Sequence, residues 1–216
     1  MDKRYGAVYA LRNLTLAIAP GECVALAGRN GSGKTTLLRI ASCLTRPTRG
    51  SLSFSGVTEN QNPRAGFVAH ASMVYDELTA EENLLFFAKL LGVANCRQRV
   101  DQLLREVGLS ERRDSLLRTF SRGMRQRAAI ARALLANPTL LFFDEPGTGL
   151  DLEATAWLAG QLAKLRDSGC TILMSLHGES EVARLATRAV RLDAGSVVAD
   201  TRSGATFQSV FSFAGG

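Results

Sequence analysis

The chain has 216 residues and a formal net charge of +6, with 46% hydrophobic and 21% charged residues. A chain of this size forms one domain, or one domain with an inserted subdomain, and its composition is globular and excludes a disordered protein. The basic excess is mild, which suits binding of a polyanion such as a nucleoside triphosphate but excludes the dense charge of a nucleic-acid-binding arm.

Two further absences in the sequence limit the class of protein. No run of 18 uncharged apolar residues is present, and the N-terminus lacks the apolar segment of a signal peptide, so neither a transmembrane helix nor a secreted chain is predicted. Four cysteines are scattered without C-x-x-C spacing. They predict free thiols in a reducing compartment, with neither a disulfide frame nor a zinc site.

The first part of the chain predicts strands that alternate with a helix. The apolar run Cys23–Ala27 predicts a buried strand that ends at Gly28. A helix is predicted from Gly33 to about Leu44, and short strands are predicted over 50–54 and 66–69.

The middle of the chain predicts helices. The segment Thr79–Glu82 is a capping box, and Gly92 stands where a helix C-terminal glycine belongs. Asn95 opens a second capping pattern, and Ser121 can cap a third helix. These helices form an insert over about 76–125 in an otherwise α/β chain.

Strands and helices alternate again towards the C-terminus. The apolar run Thr139–Phe143 predicts a strand, and Asp151 can cap a helix that ends at Gly169. The run Cys170–Leu176 predicts a buried strand, and Ala194–Gly195 predicts the turn of a closing hairpin. The overall pattern is an α/β sheet with a helical insert.

The strongest motif is Gly28–Thr35, which fits the P-loop pattern G-x-x-x-x-G-K-[ST] in its required place between a strand and a helix. Backbone N–H groups of such a loop surround phosphates, and the helix N-terminus adds partial positive charge. Lys34 is predicted to reach the β- and γ-phosphates and the Thr35 hydroxyl to bind Mg²⁺. The predicted nucleotide-binding residues are Gly28, Asn30, Gly31, Ser32, Gly33, Lys34, Thr35 and Thr36.

Two carboxylates follow the apolar strand that begins at Thr139. Asp144 suits a contact to Mg²⁺ through water, and Glu145 can act as general base towards the attacking water. In isolation the pair could be a solvated strand end. In a chain with a P-loop, it predicts the second half of an ATP-hydrolysing site.

The order of these motifs resembles the nucleotide-binding subunit of ABC transporters over roughly residues 3–203. Its most diagnostic segment, Phe120–Gln126, is similar to the family signature L-S-G-G-Q and lies shortly before the second carboxylate strand. Arg122 and Met124 depart from the commonest form of the signature, so the side-chain roles at those two positions do not carry over.

The resemblance assigns roles to residues on both sides of a subunit interface. It implies that the Ser121 hydroxyl and the Gly123 N–H bind the γ-phosphate held by the opposite subunit, with Met124 at the next signature position. Asp151 resembles the D-loop aspartate that crosses the dimer interface. His177 follows an apolar strand and resembles the switch histidine that senses the γ-phosphate, so it joins Glu145 as a predicted catalytic residue.

Two further positions match less completely. Tyr5 stands where the family has its adenine-stacking aromatic residue, with Tyr9 as the alternate position. His70 occupies the place of the Q-loop glutamine. A neutral imidazole cannot reproduce the two-sided contact of a carboxamide to Mg²⁺ and water, so His70 matches the Q-loop by position alone.

The resemblance implies an α/β fold of the P-loop NTPase type found in ABC proteins. A RecA-like core over 1–75 and 126–203, with an N-terminal antiparallel β portion, would carry the nucleotide. A helical subdomain over 76–125 and a short tail over 204–216 complete the chain. The implied function is Mg²⁺-dependent ATP hydrolysis at the cytoplasmic face of a bacterial inner membrane. It would drive a permease on a separate chain, with a second copy or a homologous subunit as the ATP-dependent partner and no nucleic acid.

Within the family, the segments 67–70, 78–86 and 120–124 together resemble the ATPase subunit of the bacterial haem exporter used in cytochrome c maturation. Another small exporter, for a drug or a polysaccharide, stays open. So do a soluble ABC ATPase without a transport role and a binding module that has lost hydrolysis. The apolar segment Met73–Tyr75 is either part of a permease-facing surface or part of the core beneath the helical insert.

Overall fold

The computed structural model describes residues 1–55, 63–69, 73–177 and 181–212. The strands of this part of the chain are β1 (Lys3–Tyr5), β2 (Val8–Leu11), β3 (Cys23–Ala27), β4 (Ala65–Val68), β5 (Leu140–Asp144), β6 (Thr171–Ser175), β7 (Arg188–Asp193) and β8 (Ser196–Asp200). Its α-helices are α1 (Lys34–Ala41), α2 (Ala80–Leu90), α3 (Cys96–Glu106), α4 (Arg122–Leu134), α5 (Leu152–Asp167) and α6 (Phe207–Phe211).

Six strands form one sheet in the order β4-β5-β6-β3-β7-β8, parallel except for β8. β3 is buried on both faces because its side chains alternate between two apolar clusters. Cys23 and Ala25 belong to the cluster that includes residues of α4 and α5, whereas Val24 and Leu26 belong to the cluster that includes residues of α1. The sheet is therefore the middle layer of an α/β/α arrangement, as the apolar runs predicted.

The carboxyl ends of the parallel strands meet at one edge of this sheet. Gly28 follows β3, Glu145 follows β5, and His177 lies two residues after β6. In sheets of this kind, ligands bind in the crevice outside the carboxyl ends of the strands. The topology thus brings the predicted functional residues of three separate segments to the same edge.

A short antiparallel hairpin, β1–β2, packs beside the start of α1 and confirms the predicted N-terminal antiparallel portion. The Arg12 N–H donates to the carbonyl of Gly195. A Cβ on Gly33 would lie 2.6 Å from the carbonyl oxygen of Ala10, and one on Gly195 would lie 2.9 Å from the same atom. Glycine at position 33 therefore lets β2 lie directly against the start of α1, and glycine at position 195 lets the turn between β7 and β8 lie against β2.

Helices α2, α3 and α4 form a second, helical core. Thr79 and Glu82 make the predicted capping box at the start of α2, with both reciprocal hydrogen bonds present. α4 contributes Ala128 to the helical core and Ile130 to the core beneath the sheet, so the proposed boundary at residue 125 falls inside one continuous helix.

Trp157 on α5 packs against both the helical core and the core beneath the sheet, and the Arg127 guanidinium of α4 lies 4.5 Å from the centre of its ring. The junction between the two parts of the molecule is thus made by α4 and α5. Nowhere in the described ranges is a helix long and apolar enough to span a bilayer.

A charge network centred on the buried Arg188 joins the chain's early and late segments. Arg188 on β7 donates to both carboxylate oxygens of Asp200 on β8, at 2.9 and 2.6 Å, and to the carbonyl oxygen of Ala17 at 2.7 Å. Glu22 lies 3.4 Å from Arg188 and 2.6 Å from Arg202. Both the hydrogen bonds and the charge of Arg188 lower the pKa of Asp200.

Two predictions about local structure are wrong. Residues 51–54 form no strand, since they pair with no strand among the residues that the structure describes; just before them, Arg49 makes an isolated bridge to Asp2. The side chain of Asn95 does not cap α3. Asn95 adopts a left-handed conformation with φ 52°, and its carbonyl accepts the first helical hydrogen bond, from Arg99.

Candidate functional site

The loop between β3 and α1 depends on glycine. Gly28, Gly31 and Gly33 have φ values of 147°, 79° and 106°, which side-chain-bearing residues rarely adopt. A Cβ on Gly28 would lie 2.4 Å from the carbonyl oxygen of Leu192 and 2.5 Å from Oγ of Ser32. The loop is thus tightly wound, as the predicted phosphate-binding turn requires. At its tip Asn30 and Gly31 are exposed.

Lys34 is held inside this loop and is only 5% exposed. Its Nζ donates to the carbonyl oxygens of Gly28 at 2.6 Å and Arg29 at 3.1 Å. Burial lowers the pKa of Lys34, and the charges of Glu145 and Asp144 act in the opposite direction. The hydrogen-bond partners of this buried ammonium group within the loop are neutral carbonyl oxygens. An anionic phosphate oxygen would bind the ammonium group more strongly than they do.

Ser32 fits the same ligand. Its Oγ is buried and has no hydrogen-bond partner among the residues that the structure describes. Buried hydroxyl groups in folded proteins are nearly always paired. An unsatisfied donor beside the Lys34 loop is therefore an observation in favour of a bound phosphate oxygen at this position.

Thr35 and Asp144 are brought together from separate elements. The Thr35 hydroxyl, in the first turn of α1, donates to Oδ1 of Asp144 at 3.0 Å. Asp144, at the end of β5, is 5% exposed. Hydroxyl and carboxylate oxygens are the ligand types that Mg²⁺ takes beside nucleotide phosphates, so this pair fits the predicted metal position.

Ser175 is a residue of the site that sequence reasoning missed. Its Oγ accepts a hydrogen bond from the backbone N–H of Glu145 at 2.9 Å and donates to Oδ1 of Asp144 at 2.8 Å. Ser175 is fully buried and pairs in register with Asp144 across β5 and β6. The signal was present in the sequence, as a polar residue near the end of an otherwise apolar strand beside the carboxylate strand.

The two predicted catalytic residues face each other. Nε2 of His177 lies 2.6 Å from Oε1 of Glu145. The Glu145 side chain is mostly buried, whereas that of His177 is 42% exposed. Glu145 has a φ of 55°, in the left-handed region, so its backbone is strained where its carboxylate meets the imidazole.

The predicted signature residues form a second group, at the start of α4. Oγ of Ser121 accepts from the N–H of Met124 at 3.2 Å, as an N-cap, and the Met124 side chain packs against the helical core. A Cβ on Gly123 would lie 3.1 Å from Cβ of Ala154. Asp151 caps α5 through the N–H of Ala154 at 2.8 Å. The signature turn therefore packs against the first turn of α5, the turn that Asp151 caps, within one chain.

The predicted adenine-stacking position and its alternate share one hairpin. Tyr5 and Tyr9 lie on the β1–β2 hairpin and are 51% and 41% exposed. Their rings are covered by cations, Lys3 over Tyr5 and Arg4 over Tyr9. His70 lies outside the described residues, so the Q-loop prediction stays a prediction.

A wound glycine loop with a buried lysine, a threonine–aspartate oxygen pair and a paired carboxylate and imidazole lie at one edge of a parallel sheet. Together they define the class of P-loop ATPases. The model of the ABC transporter family matches residues 11–148. The chain belongs to this family, and its reaction is ATP hydrolysis coupled to transport.

Relatives with assigned names cover most of the chain. The Nod factor export ATP-binding protein I of Cupriavidus metallidurans is 37% identical over 92% of this chain and 68% of its own length. The ABC transporter ATP-binding protein NatA of Bacillus subtilis is 35% identical over 88% of this chain and 81% of its own length. The daunorubicin resistance ATP-binding protein DrrA3 of Streptomyces coeruleorubidus is 36% identical over 92% of this chain and 65% of its own length.

Solved structures share the fold. A dimeric bacterial ABC transporter cassette superposes with a TM-score of 0.82 at 30% identity, covering 92% of this chain and 94% of the other. A dimeric post-hydrolysis state of an ATP-binding cassette, bound to ADP and Pi, superposes with a TM-score of 0.81 at the same identity and coverage.

Proposed function

We propose that the chain is the ATPase subunit of an exporter and acts from the cytoplasmic face of a bacterial membrane on a permease formed by other chains. The observation that carries the proposal is the Glu145–His177 pair, 2.6 Å apart, beside the P-loop. A module that only bound nucleotide would not need a base near the γ-phosphate. Two relatives whose names state a role, in Nod factor export and in daunorubicin resistance, support the export direction.

Different side chains of the site have different roles in ATP hydrolysis. Lys34 and Ser32 bind phosphate oxygens, and Tyr5 stacks on the adenine. Thr35, and Asp144 through water, would hold Mg²⁺, which would neutralise charge on the phosphates. Glu145 accepts the proton of the attacking water, and His177 orients that carboxylate and contacts the γ-phosphate.

The site is completed by a second subunit. Ser121 and Gly123 lie at the N-terminus of α4, where helix geometry leaves N–H groups free for an anion. They would bind the γ-phosphate of the partner's ATP, so ATP holds two subunits together and hydrolysis releases them. The dimeric cassettes with the same fold support this pairing. The closed pair and the released pair are two states, and a permease attached to the subunits could change its conformation between them.

An exposed apolar patch, formed by Tyr75, Phe86 and Leu90 and backed by the partly buried Phe87, supports a permease-facing surface. Tyr75 is 51% and Phe86 43% exposed, and their rings are 5.3 Å apart. Within Met73–Tyr75, Val74 packs against the helical core, whereas Met73 and Tyr75 are exposed and belong to the surface proposed here. Phe86→Asp is expected to leave ATPase activity of the isolated subunit intact and to abolish its co-sedimentation with permease-containing membranes. Unchanged co-sedimentation would contradict this surface.

We infer the cargo class from the segments 67–70, 78–86 and 120–124, whose residues resemble the haem exporter of cytochrome c maturation. None of the relatives described above is named for haem, so the haem assignment is supported by these segments alone. Cargo contacts the permease and not this subunit, so binding to the isolated subunit does not test the haem assignment. The test is therefore made in the cell. In the host of origin, Glu145→Gln is expected to abolish haem-stained c-type cytochromes while b-type cytochromes remain.

The matched control is Glu111→Gln, which removes an exposed carboxylate of the helical subdomain. Normal c-type cytochromes together with a new drug sensitivity, or with loss of a surface polysaccharide, would contradict the haem assignment and support another small exporter. A fully active subunit that never sediments with membranes would contradict the transport role and support a soluble ABC ATPase. Absence of hydrolysis in the wild-type chain would support a binding module.

A further inference from the structure

Arg122 stands at a signature position where the commonest form of the family has glycine. Its guanidinium lies against Gly149, two residues before the D-loop aspartate Asp151 of the same chain. A Cβ on Gly149 would lie 2.8 Å from Cζ, 2.8 Å from Nη1 and 3.0 Å from Nε of Arg122. Three nearly equal distances mean that the α-carbon of Gly149 faces the plane of the guanidinium group. Any side chain at position 149 would displace it.

Helix stability does not explain an arginine at this position. Arg122 is the first residue of α4, and the first turn of that helix contains no acidic residue. A positive charge at a helix N-terminus opposes the helix macrodipole. Arg125, in the same turn, has Asp76 as a partner. Among the residues that the structure describes, no carboxylate forms an ion pair with Arg122. The position of its guanidinium against Gly149 is therefore the interaction that bears on the role of Arg122.

Gly149 belongs to a tight loop that begins at the catalytic carboxylate. The Thr148 N–H donates to the carbonyl of Glu145 at 3.2 Å, and the Leu150 N–H donates to that of Gly147 at 3.3 Å. Both Glu145 and Gly149 have left-handed backbones, with φ values of 55° and 69°. These two hydrogen bonds tie the residues on either side of Gly149 to the start of the loop, which gives a displacement of Gly149 a short backbone route to Glu145.

We propose that Arg122 is a positioning residue that links the signature turn to the catalytic loop 145–151 of its own chain. The proposal rests on the composite site of the proposed function, in which the signature turn closes over the partner's ATP. When that turn moves onto the partner's γ-phosphate, Arg122 moves Gly149 and sets Glu145 for hydrolysis of the chain's own ATP. The catalytic carboxylate of each subunit is then positioned when that subunit's signature turn closes over the ATP of its partner.

Steady-state ATPase kinetics of the full-length chain test this link. Arg122→Ala is expected to lower kcat about tenfold and to bring the Hill coefficient for ATP close to one, with KM within about twofold of wild type. Arg122→Lys keeps the charge but not the plane that covers Gly149, so it is expected to recover little of kcat. Arg118→Ala removes an exposed arginine of the same subdomain, with Glu77 3.7 Å away, and is expected to behave as wild type.

A double-mutant cycle isolates the contact from backbone strain. Gly149→Ala introduces strain at a left-handed position, but the same strain is present with and without Arg122, so it cancels in the cycle. The loss of kcat caused by Gly149→Ala is expected to be smaller in the Arg122→Ala background than in wild type. Additive losses would overturn the proposal, and so would an Arg122→Ala variant with a lowered melting temperature but wild-type kcat and Hill coefficient.

Two further outcomes separate this proposal from those around it. A raised KM for Arg122→Ala, with full rescue by lysine, would mean that Arg122 binds the partner's phosphate directly, and would overturn the positioning role. Light scattering of Glu145→Gln with Mg-ATP tests the composite site itself. If Glu145→Gln dimerises with Mg-ATP but Arg122→Ala has wild-type kinetics, the role of Arg122 is contradicted and the composite site is not. If Glu145→Gln stays monomeric, the composite site itself is contradicted.

Discussion

At the scale of single residues, backbone strain at Glu145 accounts for the arrangement of the carboxylates. In a strand, consecutive side chains point to opposite faces, so Asp144 and Glu145 would separate if β5 continued. The left-handed backbone of Glu145, with φ 55°, ends the alternation and turns its carboxylate to His177. A conformation of this kind costs about 1–3 kcal/mol. The hydrogen bond of its N–H to Ser175 helps to hold it.

Lys34 is the first residue whose removal has a clear expected result. Lys34→Ala removes the buried ammonium group of the loop, and with it a charge-assisted contact to the triphosphate. ATP binding measured by calorimetry is expected to be lost, whereas Lys89→Ala, at an exposed lysine of α2, is expected to bind as wild type. An affinity for Lys34→Ala within about threefold of wild type, under about 1 kcal/mol, would count against the P-loop assignment.

Tyr5 and Tyr9 offer a matched pair, since both are exposed on the same hairpin. Tyr5→Ala is expected to weaken binding of ATP and ADP alike, by about 1–3 kcal/mol, because stacking on the base does not depend on the γ-phosphate. Tyr9→Ala is expected to have little effect. The reverse result would place the adenine on Tyr9 instead.

At the scale of elements, caps and glycines explain why the sequence predicted so much of the fold. Thr79, Ser121 and Asp151 all cap their helices as predicted, since each signal is local and needs no tertiary partner. The strand predicted over 50–54 failed because a strand needs a neighbour that no local pattern reveals. Asn95 failed because asparagine tolerates both a capping and a left-handed conformation.

The candidate site was predictable to a similar extent, for a different reason. The P-loop and the carboxylate pair are contiguous motifs, so sequence spacing alone identifies them. Ser175 and the contact of Arg122 with Gly149 join segments far apart in the chain, and only the register of the sheet and the packing of α4 against α5 bring them together.

The Arg188–Asp200 pair joins β7 to β8 and gives a prediction at this scale. Since Arg188 lowers the pKa of Asp200, the charged pair stabilises the fold at neutral pH, and this stabilisation is lost as pH falls through the lowered pKa. Asp200→Asn is expected to lose about 3 kcal/mol of unfolding free energy at pH 7, with a smaller difference below about pH 4.

Urea unfolding at several pH values measures this difference. Asp167→Asn is the matched control, because Asp167 pairs with Arg166 on the surface and its side chain is 65% exposed. Exposed pairs contribute at most about 1 kcal/mol. Equal losses for the two variants, or a loss at Asp200 that does not depend on pH, would contradict a stabilising role for the buried pair.

At the scale of the whole molecule, the two groups of site residues lie on different elements, and the proposed composite site joins them across two subunits. Glu145→Gln keeps the shape of the side chain but cannot accept a proton, so hydrolysis is expected to slow greatly. Removing a negative charge beside the γ-phosphate is also expected to strengthen ATP binding. With Mg-ATP the variant is expected to double in mass by light scattering, whereas wild type with ADP stays monomeric. Hydrolysis at the wild-type rate would remove Glu145 from catalysis.

Trp157 gives the molecule its own optical reporter. It is the only tryptophan of the chain, and it lies between the helical core and the core beneath the sheet, under the guanidinium of Arg127. Indole emission responds to the polarity and the charge of its surroundings. A rotation of the helical subdomain upon nucleotide binding would shift the cation across the ring. Stopped-flow fluorescence could therefore follow that rotation in the unlabelled wild-type protein, in time with each turnover.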